Sequence, residues 1–147
     1  MQKSLFPSHL HFSSRLYIFK HATELGKLHQ SIPWDQLGEC LPIENKGPGA
    51  PRWFSAQGMF GLMFLKAYLN ISDEKLIERF NTDYAMQLFC GKLLKDNQRI
   101  KNKAIVSCIR SYIAEHTDWQ QLQCVLLDYW KRDMGNTHVL LMDATCY

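Results

Sequence analysis

The 147 residues lack most of the patterns that announce chemistry by spacing alone. No C-x-x-C pair occurs. Cys40, Cys90, Cys108, Cys124 and Cys146 are odd in number and widely spaced, which argues against a disulfide framework and against a cysteine zinc site. We expect reduced thiols, mostly buried as small apolar groups, in a cytoplasmic protein. His9, His11, His21, His29, His116 and His138 show no metal-ligand spacing. Gly47-Pro48-Gly49 lacks the flanking strand and helix of a phosphate loop. Residues 1–7 hold one lysine and no apolar core, so no signal peptide is expected. No run approaches the roughly 20 apolar residues of a membrane span. The most apolar stretch, 58–69, is interrupted by Lys66 and reads as a buried helix. No internal repeat or low-complexity tract is visible.

What is present is ordinary globular composition: 46% hydrophobic and 21% charged residues, enough for one domain with a core. The net charge of +3 is mildly basic and only weakly favours an anionic partner. Periodicity and capping residues predict an all-α bundle of about six helices. A first helix is expected over 14–30, ending before Pro33, which disfavours helix at the residue ahead of it. A short helix follows over 34–41, then a Pro/Gly-rich loop over 42–51. Ser55 caps an almost wholly apolar helix over 56–69, suited to a bundle centre, and Asn70 ends it. Ser72 caps a helix to Phe80. Thr82, with Asp83 behind it, caps another to Phe89, and Gly91 stops it. This pair has a helix-turn-helix outline. Its second helix carries only Gln87 as a side chain suited to reading bases, so the pair also suits a scaffold role.

A longer helix is expected over 98–116, with Ile100, Ile105, Ile109 and Ile113 on its core face. Asp118 caps the last helix, whose stripe of Trp119, Leu122, Val125, Leu126, Tyr129 and Trp130 reads as core packing. After Gly135-Asn136, the run Val139 to Met142 reads as a buried strand without neighbours, ending at Asp143. By itself Asp143 fits a turn residue better than a metal ligand.

Charge is concentrated between 92 and 110. Lys92, Lys95, Arg99, Lys101, Lys103 and Arg110 face only one acid there, Asp96. On a helix over 98–116, Arg99, Lys103 and Arg110 share one face. That face suits DNA phosphates, and equally a solvated surface.

The segment 31–91 resembles the N-terminal domain of InsH-type insertion-sequence transposases. The resemblance rests on Ile32-Pro33-Trp34, the Gly47-Pro48-Gly49-Ala50-Pro51 loop, the apolar helix 59–68, the step Asn70-Ile71-Ser72-Asp73-Glu74-Lys75-Leu76, and Phe89-Cys90-Gly91. Leu141-Met142-Asp143-Ala144-Thr145 resembles the entry to that family's ribonuclease H-like catalytic domain. The resemblance implies an Asp-Asp-Glu triad holding two divalent metals, with Asp143 as its first carboxylate and Mg as the metal of a complete member. Asp143 alone assembles no such site and the triad's later Asp and Glu are absent, so we expect a member truncated just after the first catalytic Asp, with no enzyme activity and no cofactor for this chain.

The expected organisation is an N-terminal segment with the first helix (1–30), a helical transposase domain (31–91), a basic helix with a Trp-rich helix (92–134), and a first catalytic strand (135–147). The expected function is binding of double-stranded transposon-end DNA in transposition, through Arg99, Lys101, Lys103 and Arg110, with no membrane partner. The alternatives are an interaction module that associates with itself or with full-length transposase, and a remnant without function.

Overall fold

The computed structural model describes residues 8–43 and 53–131, with only the course of the helix for 8–13. These residues form eight helices and no strand: α1 (Ser8–Ala22), α2 (Glu24–Gln30), α3 (Trp34–Glu39), α4 (Ala56–Leu69), α5 (Asp73–Phe80), α6 (Tyr84–Phe89), α7 (Ile105–His116) and α8 (Trp119–Trp130). The all-α expectation holds for them. The expected strand and Asp143 lie outside the described residues, as does most of the Pro/Gly loop.

The count is eight and not about six, and one cause is a break inside the expected first helix. Thr23 sits in extended backbone between α1 and α2. Its hydroxyl donates to the Phe19 carbonyl (2.6 Å) and accepts from the Gly26 amide (3.0 Å). One side chain thereby closes the first helix and caps the second. The helices then fold back so tightly that a Cβ on Gly26 would stand 1.6 Å from the Phe19 carbonyl oxygen. Only glycine fits there.

Helix α4 is the centre. Leu62 and Leu65 are fully buried, together with Leu76 and Phe80 of α5, Phe89 of α6 and Val106 of α7. Each such side chain contributes on the order of 1.5–3 kcal/mol by leaving water. Ser55 caps α4 through the Gly58 amide, and Asn70 ends it in the left-handed region at φ 49°. Ser72 caps α5 as expected. At α6 the cap is Asp83, whose carboxylate accepts from Ala85 and Met86. Thr82 is not the cap; its hydroxyl turns back to the Arg79 carbonyl. Gly91 (φ +64°) stops α6: its amide donates to Leu88 and the Lys92 amide to Gln87, a Schellman closure.

The expected helix over 98–116 begins only at Ile105. Asn81 explains the difference. Its side chain accepts from the Ile100 amide (2.8 Å) and donates to the Ile100 carbonyl (3.0 Å), taking both groups a helix would use. Ile100 is buried, and the Asn102 side chain accepts from the Ala104 amide just before the helix opens. Helix α8 departs from expectation in its packing. It starts at its Asp118 cap, yet none of its residues is buried. It lies on the outside against α3. The Asp118 amide donates to the Cys40 carbonyl, the Tyr129 hydroxyl to Gln30 and the Trp130 indole to Ser31. The cysteines are likewise split: Cys40 and Cys90 are buried, Cys108 and Cys124 exposed.

Candidate nucleic-acid interface

Among the residues expected to meet DNA, the structure separates two kinds. Arg99 and Lys101 lie in the non-helical stretch before α7, are exposed, and make no ion pair among the described residues. Lys103 and Arg110 are already engaged by the first turn of α5. The Lys103 ammonium pairs with Glu74, and the Arg110 guanidinium donates to Asp73 at 2.8 Å. Asp73 also holds Lys66 of α4 at 3.0 Å, and Lys66 donates to the Ile71 carbonyl. Lys66, then Arg110, keep the Asp73 carboxyl below its ordinary value against a smaller opposing effect of desolvation. Lys103 does the same for Glu74, and Glu74 raises Lys103 in return.

The single-face arrangement of Arg99, Lys103 and Arg110 is therefore not formed, because only Arg110 is on a helix. Arg99, Lys101 and Lys103 instead border an open groove of about 370 Å³, with Glu74, Glu78 and Asn81 across it. Asn81 is the residue that the sequence did not single out. It places the backbone that carries Arg99 and Lys101. Its partner lies 19 positions away, and no local pattern marks it. Of the carboxylates opposite, Glu74 stands in the first turn of α5, where an acid suits the helix N-terminus whatever lies across the groove.

Helices α5 and α6 follow one another across a tight turn, but α6 faces inward. Gln87 is only 6% exposed; its amide donates to the Phe80 carbonyl and accepts from the Leu94 amide. Met86, Leu88 and Phe89 are buried beside it. The base-reading side chain is thus spent on joining α5, α6 and the following segment. Elsewhere Lys92 lies 5.7 Å over the Trp53 ring and Arg15 5.0 Å over Tyr84.

Along the chain the parts run in the order apolar α4, the Asn70–Ser72 step into α5, buried α6 closed by Gly91, then a basic stretch into α7. A transposase domain family (DUF772) matches residues 14–112. The chain belongs to that family. No curated protein and no solved structure matches it. The transposase-domain match runs from α1 to within α7, so it includes the break at Thr23 and the groove beside α5, and stops before α8. Among the described residues no three His, Cys, Asp or Glu side chains gather as a metal-ligand set, and no helix is long and apolar enough to cross a membrane.

Proposed function

We propose that this transposase domain is the DNA-binding N-terminal portion of an InsH-type insertion-sequence transposase, acting in transposition by gripping transposon-end duplex. Family membership supports a DNA partner. The observation that carries the interface is the segment Asn81 holds outside any helix, with Arg99 and Lys101 exposed on it. Phosphate contacts position a protein on DNA and supply affinity by releasing counterions. Arg99 and Lys101 meet phosphates directly; Lys103 and Arg110 must first exchange a carboxylate for a phosphate. The domain binds and positions DNA and is not itself the catalyst. Strand chemistry is assigned to the carboxylate site the resemblance centres on Asp143.

Fluorescence anisotropy with duplex DNA across a salt series tests this. The full chain is expected to show steeply salt-sensitive affinity. Arg99→Ala/Lys101→Ala should lower the log–log salt slope by about two, and Lys103→Ala/Arg110→Ala by less than about one. Absence of salt-sensitive affinity in the unmodified chain would overturn the reading. Equal losses from the two double variants would overturn the assignment of the interface.

A further inference from the structure

The cations and carboxylates where α4, α5 and α7 meet are not paired evenly. Asp73 holds two cations, Lys66 at 3.0 Å and Arg110 at 2.8 Å. Among the described residues Glu74 pairs with Lys103 and with no other cation. Lys66 and Arg110 also differ in placement. The Lys66 side chain is 28% exposed and donates to the Ile71 carbonyl as well as meeting Asp73, so it ties the end of α4 to the start of α5. Arg110 reaches Asp73 from α7 and is half exposed. The hydrogen bond from Lys66 is also the largest cause of the lowered Asp73 carboxyl.

An ion pair as open to water as Asp73–Arg110 is worth little net, so Arg110 leaves it readily when a phosphate offers the same charge. What opposes the exchange is the carboxylate left behind. The Asp73 side chain is 32% exposed, so a bare carboxylate there is poorly hydrated and repels the arriving phosphate. A second cation removes that obstacle, and Asp73 has one. We propose that Lys66 is a positioning residue for DNA binding, which keeps Asp73 paired so that Arg110 passes from that carboxylate to a DNA phosphate. The inference rests on the DNA-binding reading above and separates its two engaged cations. Arg110 is exchangeable, whereas Lys103 stays on Glu74, which has no second cation to replace it. Lys66 itself remains on Asp73 throughout and touches no phosphate.

Anisotropy with duplex DNA across a salt series tests this on the full chain, unmodified and as Lys66→Met, Asp73→Asn, the double variant and Lys66→Arg. Methionine suits a helix as well as lysine does, and Ser72 rather than Asp73 caps α5, so the substitutions spare the helix ends. Circular dichroism melts check that each variant folds. With Asp73 in place, Lys66→Met should lower affinity at low salt on the order of fivefold and reduce the log–log salt slope by less than about one. In the Asp73→Asn background Arg110 has no carboxylate to leave, and the same substitution should change affinity by less than about twofold. Lys66→Arg should bind as the unmodified chain does. An equal loss in both backgrounds overturns the proposal, because Lys66 then acts through its own charge or contact. No loss in either background also overturns it, because Arg110 then needs no second cation on Asp73. Failure of Lys66→Arg to preserve affinity overturns it as well. In these three cases the unmodified chain still binds and the DNA-binding reading stands; an unmodified chain without salt-sensitive affinity overturns both.

Discussion

His29 shows how one side chain sets a pH limit on the fold. Its ring stacks on Trp34 at 4.8 Å and meets the edges of Phe89 and Phe19 at 5.6 and 5.9 Å. Burial, and then the Lys20 charge, lower its pKa below the usual 6.5. The folded protein therefore keeps it neutral where the unfolded chain would take up a proton. Stability is complete above pH 6.5 and falls as the pH drops through that value toward the lowered one. Thermal melts from pH 8 to 5 should show this loss, and His29→Phe, which cannot protonate, should flatten it. Parallel curves for the two proteins would exclude the effect. Asp73 acts in a lower window. Its pKa is depressed by Lys66 and then Arg110, so its contribution is present above the ordinary carboxylate value and is lost as the pH falls through the lowered one.

At the scale of elements, the stretch 98–104 depends on a single asparagine. Asn81→Ala strips both backbone groups of buried Ile100 of their partners. A cost of about 1–3 kcal/mol in chemical denaturation is expected, as is weaker DNA binding even with every cation retained. Loss of stability with unchanged affinity would show that the segment needs no placement to bind. Asn81 also marks the limit of what the chain reveals by itself. The helices α4, α5 and α8 start where Ser55, Ser72 and Asp118 cap them, because a cap needs only its own first turn. The division at Thr23 and the late start of α7 are set by a Phe19 carbonyl and an Asn81 amide, and helical periodicity runs straight through both. Periodicity likewise shows which α8 side chains share a face, but not whether anything lies against it. The site was legible to the same degree: the basic stretch stood out, whereas its pairing with Asp73 and Glu74 depends on α5 and α7 lying side by side.

For the whole molecule, the basic stretch is partly neutralised by its own neighbours, so the net charge of +3 says little about where an anion is held. Glu74→Gln releases Lys103 and removes one repelling charge from the groove. DNA affinity at low salt should rise several-fold, with the gain shrinking as salt screens it. An unchanged or lower affinity in the anisotropy series would show that the groove does not face DNA. The ties between α8 and the end of α2 carry a different consequence. Tyr129 and Trp130 reach back 99 positions to the carbonyls of Gln30 and Ser31, joining the last described helix to a turn near the start. That turn lies between α2 and α3, and α8 has no fully buried residue, only half-buried Leu122, Val125, Leu126 and Tyr129. With so little of it buried, α8 is expected to open before the core does, and hydrogen exchange should find its amides exchanging while those of α4 stay protected.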